Sequence, residues 1–274
     1  MRHPVLDPCK RDIISTVNQP TFQQRAKRET LVDRSPLNQH DTLAANIAEV
    51  QARILTAAQH AGRDATEITL VAVSKTKPLD MVKIAYNLGV THFGENRIQE
   101  VLTKAAAFSP SNLAWHMIGH LQSNKAGKAT GMFACIHSVH SLHLAKLLNR
   151  HAEHAGIRQP ILLQVNISGE LSKEGMTKEE TIPLARQIVA LPHLDVQGLM
   201  TIAPLVENAE EVRPVFRVLR HLRDQLRQEI PDSAWPHLSM GMTDDFEVAI
   251  EEGATIVRIG RAIFGERASK GSIQ

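Results

Sequence analysis

Lys75 follows Val71, Ala72, Val73 and Ser74, so a cation ends a run of four apolar or small residues. That is not the solvated face of a helix. A lysine so placed either snorkels from a strand end or points into a pocket. Desolvation in a pocket lowers an amine's pKa and favours the neutral nucleophile that forms Schiff bases with carbonyl compounds. Lys77, two residues on, falls near the start of the next helix and reads as exposed. Arg258 stands inside the apolar run Ile256–Ile259. A guanidinium is costly to bury there unless its N–H groups find acceptors, whether a structural carboxylate or a ligand heteroatom. Two glycine-bearing turns accompany it. Leu238–Asp245 brings Ser239, Gly241, Met242 and Thr243, while Gly260 and Arg261 open a short helical stretch that ends at Gly265. Glycine lets backbone approach a ligand closely, and N–H groups at a helix start cradle phosphate. The plainer reading is that both glycines only terminate strands. The second turn is not a P-loop, since Glu266 and Arg267 stand where that motif carries Lys and Ser or Thr.

The 14 histidines raise a metal reading. His137, His140 and His143 lie three apart, but they straddle a strand end and a helix start and need not share a face. No neighbouring carboxylate or thiol cluster completes a site, so no metal is expected and capping or surface roles are. His116 lies inside a strand in Ala114–Gly119 and faces either a barrel mouth or the outer helices. No Gly-x-Ser-x-Gly elbow is present, which removes the main reason to expect a serine hydrolase.

Short apolar or β-branched runs recur at the spacing of strands alternating with helices. They cover Ile68–Ser74, Val90–Phe93, Ala114–Ile118, Ala134–Ser138, Ile161–Ile167, Val196–Thr201, His237–Met240 and Thr255–Ile259. Amphipathic stretches such as Leu142–His154 and Val212–Leu226 lie between them. Pro78 suits a first helical position, Asn208 with Glu211 resembles a capping box, and Gly89 suits a helix stop. Leu43, Ile47, Val50 and Ile54 mark an earlier helix from Asp41 to near Gly62. Eight strands so arranged predict an α/β fold, a single-domain (β/α)8 TIM-type barrel, with a doubly wound open sheet as the alternative. The open sheet lacks the Gly-x-Gly-x-x-Gly turn it would use. In a barrel the strand ends share one mouth, and the loops after strands seven and eight are its usual phosphate site. A lysine, a phosphate cradle and an arginine at one mouth point to pyridoxal 5′-phosphate (PLP).

The 274 residues have 43% hydrophobic and 22% charged side chains, which excludes wholesale disorder. A net charge of +2 and 4% aromatics argue against nucleic acid as a partner. No apolar run nears the roughly 18 residues of a membrane span. Cys9 and Cys135 make no disulfide framework and fit a reducing, cytoplasmic setting. Residues 1–40 carry seven basic and four acidic side chains, a net +3, and are interrupted by four prolines. They lack an apolar signal core and are expected to be a mobile extension, with residues 41–274 as the barrel domain.

At Val71–Pro78, Phe93–Glu100, Trp115–Lys125, Gln164–Ser168, Gly198–Ile202, Leu238–Ile250 and Val257–Arg267 the chain resembles the pyridoxal phosphate homeostasis protein family. The matches run in order through nearly all of residues 41–267 and are jointly specific. The resemblance implies a PLP-binding barrel similar to the N-terminal domain of alanine racemase, without strong catalytic activity, which buffers or delivers the cofactor. It implies Lys75 as the Schiff-base lysine and Arg258 facing the pyridine nitrogen. Ser239, Met242 and Thr243, with the backbone of Gly260 and Arg261, would hold the phosphate. Asn96, His116, Asn166 and Met200 would line the ring. Three positions depart from the family pattern: Arg97 replaces a common tyrosine, Thr243 replaces a serine and keeps the hydroxyl, and His140 replaces an aspartate before a helix. The family is often monomeric, and apo PLP-dependent enzymes are the implied recipients.

A PLP-dependent amino-acid racemase is the alternative. That chemistry needs a second acid/base, a tyrosine brought by a separate domain. The single tyrosine, Tyr86, lies in the helix after strand one, and few residues follow Gly265. An arginine at the pyridine nitrogen also weakens the electron sink that carbanion chemistry needs. The expectation is therefore a carrier rather than an enzyme.

Overall fold

The computed structural model describes residues 36–170 and 173–266. The expected extension, residues 1–40, lies almost wholly outside them. Among the described residues, those from Gln39 onward form one compact unit.

Eight parallel strands close a barrel in chain order. They are β1 Thr69–Val73, β2 His92–Glu95, β3 Ala114–Met117, β4 Cys135–Val139, β5 Gln159–Gln164, β6 Leu194–Met200, β7 His237–Ser239 and β8 Ile256–Ile259. The barrel, rather than the open sheet, is what the sequence period specifies. β1 pairs with β8, matching Val71 to Arg258, and this contact closes the ring. The helices between strands are α2 Leu79–Asn87, α3 Ile98–Ala107, α4 Ala126–Ala129, α5 Leu142–His154, α6 Lys178–Val189, α7 Arg213–Glu229 and α8 Phe246–Glu251. α1, Pro36–His60, precedes the barrel, and α9, Arg261–Phe264, follows β8.

Alternation along each strand sends one set of side chains outward and the other inward. Ala72, Phe93, Trp115, Met117, Ile136, Leu163, Leu199 and Val257 face outward. They join Val82, Val101, Leu148, Ile188, Phe216 and Leu226 from the helices in one large apolar core. Inside the barrel, Val71, Cys135, Leu162, Met200 and Ile256 form a second, small apolar cluster. Burial of both strand faces explains why the strands read as continuous apolar runs.

Some ends differ from the sequence reading. α1 starts five residues before Asp41, and it buries the anticipated Leu43, Ile47, Val50 and Ile54 face. It holds the end of the chain's last βα unit: Asn46 donates to the Ile263 carbonyl at 2.9 Å, and Arg53 forms a two-point pair with Glu247 at 2.9 and 2.8 Å. β2 sits two residues later than composition suggests, because pairing of His92 with Ala114 sets its start. Pro78 is the cap before α2 rather than its first residue. Asn208 does cap its turn, but it accepts from Glu210 N–H at 3.0 Å, and a complete capping box joins Thr177 to Glu180 instead.

Candidate functional site

The strand ends build a cavity of about 480 Å³ at the carboxyl-terminal mouth. Lys75, Asn96, Met242, Thr243, Arg258, Gly260 and Arg261 all line it. Lys75 reaches this position from a braced strand end. Ser74 Oγ donates to Glu95 Oε1 at 2.7 Å, and Lys104 Nζ donates to the same oxygen at 2.6 Å and to the Ser74 carbonyl at 2.9 Å. Burial pushes the Glu95 carboxyl up, and the bonds from Lys104 and Ser74 oppose that shift. Thr76 then takes a left-handed conformation, φ 64°, and donates its N–H to Glu100 at 2.8 Å. A non-glycine residue rarely adopts that conformation without support. Past this bend Lys77, half-buried rather than exposed, also borders the cavity, but its Nζ is engaged there in donating to the carbonyls of Phe264, Gly265 and Glu266 at 2.8, 3.0 and 3.0 Å.

Arg258 is 5% exposed and forms the charged floor of the cavity. Its guanidinium donates to Ser239 Oγ at 2.7 Å and to the Thr201 carbonyl at 2.8 Å. The acceptors are thus a hydroxyl and a carbonyl, not the carboxylate that one sequence reading allowed. Burial pushes the guanidinium pKa down to about 10, with Asp245 opposing, so the group stays charged at neutral pH. Ser239 is fully buried and bonded to Arg258, and it does not itself line the cavity.

The two glycine turns converge on one wall. Thr243 Oγ1 accepts the Ala262 N–H at 3.4 Å, which sets a hydroxyl against the first turn of α9. Asp245 Oδ1 accepts the Met242 N–H at 2.6 Å and fixes the loop. The Arg261 side chain pairs with Asp244 and, at 3.3 Å, with Glu266, so Arg261 offers the cavity its backbone more than its charge. Gly241, φ 92°, could carry no side chain: a Cβ would lie 2.7 Å from Ala249 Cβ and 2.9 Å from Phe246 Cα.

Four anticipated residues are not on this cavity: Ser239, already described, and Met200, Asn166 and His116. Met200 is buried in the inner apolar cluster. Asn166 lines an adjoining cavity of about 270 Å³ that shares Asn96, Ile118 and Ile202 with the first. Its amide is engaged in its own loop: Nδ2 donates to the Glu170 and Lys173 carbonyls at 2.9 and 3.0 Å, and Oδ1 accepts from Ser168 and Gly169. His116 faces inward, resolving the two orientations open to it, but deep in the barrel. There it joins a hydrogen-bonded chain: His92 Nδ1 to His116 Nε2 at 2.9 Å, His116 Nδ1 to His137 Nε2 at 2.9 Å, and His137 Nδ1 to Ser239 Oγ at 3.0 Å. Burial above all pushes these imidazoles down, His116 to about 3. His137, His140 and His143 do not converge with one another, whereas His140 meets His120 and Glu174 from other loops.

Ile118 and Ile202 line both cavities, and Leu205, 88% exposed, stands at the rim. Sequence reasoning missed them. Ile118 and Ile202 lie two positions beyond the inward-facing His116 and Met200, so alternation was the available signal. A larger cavity, about 610 Å³, lies near the strand starts at Asp195 and Pro236 and contains none of the residues above.

Comparison with known proteins matches residues 43–268 to the alanine racemase N-terminal domain. The pyridoxal phosphate homeostasis protein of Aquifex aeolicus is 47% identical over 221 residues, 81% of this chain and 96% of that protein. PipY of Synechococcus elongatus, solved with PLP bound, is 36% identical, with a TM-score of 0.73 over 81% of this chain and 100% of that one. Alanine racemase of Clostridium difficile, at 16% identity, shares the fold with a TM-score of 0.65, and this chain covers 58% of it. With the barrel, the lysine at its mouth and the relatives in agreement, the chain belongs to the pyridoxal phosphate homeostasis protein family, built on the alanine racemase N-terminal domain.

Proposed function

We propose that the mouth cavity binds PLP and that the chain buffers or delivers this cofactor rather than catalysing turnover. The observation that carries the reading is the shared cavity of Lys75, Arg258, Thr243 and Gly260. Bound PLP supplies an aldehyde that condenses reversibly with a lysine amine. Lys75 would hold that group covalently. The Thr243 hydroxyl and the backbone of Gly260 and Arg261 would take the phosphate, and the charged Arg258 would face the pyridine nitrogen and hold it unprotonated. Met242 and Asn96 would border the ring. His116, Ser239 and Met200 support the site from beneath, and Asn166 shapes the neighbouring loop.

A racemase needs a second acid/base on the far face of the cofactor. Tyr86, the single tyrosine, is bonded to Asn112 and packs edge-on against Phe108 at 5.3 Å, and it does not line the cavity. That supports the carrier reading, with apo PLP-dependent enzymes of the same cytoplasmic compartment as recipients. Among the described residues no helix is long and apolar enough to cross a membrane.

Borohydride treatment of the protein incubated with PLP should fix the label on the peptide containing Lys75. Lys75→Ala should lose both the label and the visible absorbance of bound PLP. Retention of both would overturn the assignment, and labelling of Lys77 instead would relocate it.

A further inference from the structure

Three successive mouth loops bring together residues that no reading of the cofactor site uses. His120 follows β3, His140 follows β4, and Glu174 lies in the loop after β5. One ligand atom from each lies within 4.8 Å of the others. His120 Nδ1 contacts the Glu174 carboxylate, and the rings of His120 and His140 stand 5.1 Å apart, tilted by 34°.

We propose that His120, His140 and Glu174 form a binding site for a divalent transition metal of the zinc class. Two imidazoles and one carboxylate are a borderline nitrogen and oxygen set. Such a set suits zinc and its neighbours, whereas magnesium or calcium would call for oxygens alone. Three protein ligands leave a fourth position open. His120 and Glu174 also line the cavity of about 270 Å³, beside Asn96 and Ile118.

The surroundings hold each ligand ready. His140 Nδ1 donates to the Ser138 carbonyl at 3.2 Å, which leaves the Nε2 lone pair for a metal. Ligating histidines commonly have this partner, because it fixes both tautomer and ring orientation. The Glu174 backbone is anchored by Gln164 Nε2, which donates to its carbonyl at 2.8 Å. His120 follows Gly119, where a Cβ would lie 2.6 Å from Asn96 Cα, so two loops are pressed together at its root. The adjacent cation, Lys173, pairs with Glu170 at 2.7 Å. Tetrahedral ligand atoms about 2.0–2.1 Å from zinc lie roughly 3.3 Å apart. Exposed His120 and Glu174 side chains can close that difference by rotation.

The site does not depend on PLP, so its test is independent of the cofactor reading. The chelator-treated full chain would be titrated calorimetrically with Zn2+, and with Co2+ while its visible absorption is followed. Wild type should bind at micromolar metal or below, with the intense absorption of four-coordinate cobalt. His140→Ala and Glu174→Gln should each weaken binding at least about 10-fold. His143→Ala, on the adjoining helix, should leave it unchanged. Glu174 is exposed and its substitution threatens no packing, which keeps the test decisive if His140→Ala folds poorly. Absence of binding at micromolar Zn2+, or equal binding by wild type and Glu174→Gln, would overturn the proposal.

Discussion

Lys75 and Lys77 differ by one intervening residue, and that residue decides their roles. Both line the cavity, but beyond the left-handed bend at Thr76 the Lys77 amine is held by the carbonyls of residues 264–266. The two should therefore separate under mutation. Lys77→Ala loses charge-assisted bonds at a half-buried position and should cost on the order of 1 kcal/mol of stability, measured by urea denaturation. It should retain the visible absorbance of bound PLP. Loss of that absorbance with unchanged stability would contradict the division of labour.

At the scale of elements, the mouth is accurate because its loops are pressed against rigid parts. The Met240–Asp245 turn runs so close to α8 that Gly241 has no room for a methyl group. Gly62 also has a positive φ, 65°, but nothing lies within 4 Å of a Cβ there. Gly62→Ala should thus cost only about 1 kcal/mol, the conformational term. Gly241→Ala adds overpacking and should cost roughly 2–5 kcal/mol, with weakened PLP binding. Equal denaturation midpoints for the two variants would show that the contact with α8 is unimportant. The strands themselves were legible in the sequence because burial on both faces makes them short apolar runs between turns. Their ends were less so. Pairing partners, not composition, set the start of β2.

For the whole molecule, the barrel interior is partly polar, and this makes stability depend on pH. His116 and His137 are held neutral by burial, with folded pKa values lowered from 6.5. The unfolded chain takes up protons near that ordinary value, while the folded chain resists. Stability should be full above about pH 6.5 and fall as pH drops toward about 3, where His116 itself protonates. Urea midpoints measured from about pH 7 to about pH 4 should decline in wild type and decline less in His116→Gln; parallel curves would exclude His116 as a source. The same interior explains where the sequence misled. The structure puts His116, Met200 and Ser239 on the inward side with Arg258, an orientation the sequence left open for His116. Their depth along the axis depends on the stagger of eight strands, which no local pattern records. Likewise His120, His140 and Glu174 come from three loops, and the side-by-side pairing of β3, β4 and β5 makes them neighbours.

The hydrogen-bonded chain from His92 to Ser239 has one further consequence. A neutral imidazole has a single N–H and a single lone pair, and each nitrogen–nitrogen contact needs one of each. His92, His116 and His137 must therefore all be the same tautomer. In one setting every N–H points toward the base of the barrel and the Ser239 hydroxyl donates to His137. In the other every N–H points toward the mouth and Ser239 accepts from both His137 and Arg258, which releases its own proton for another acceptor. The three rings behave as a single two-position register, written at half-buried His92 and read at Ser239.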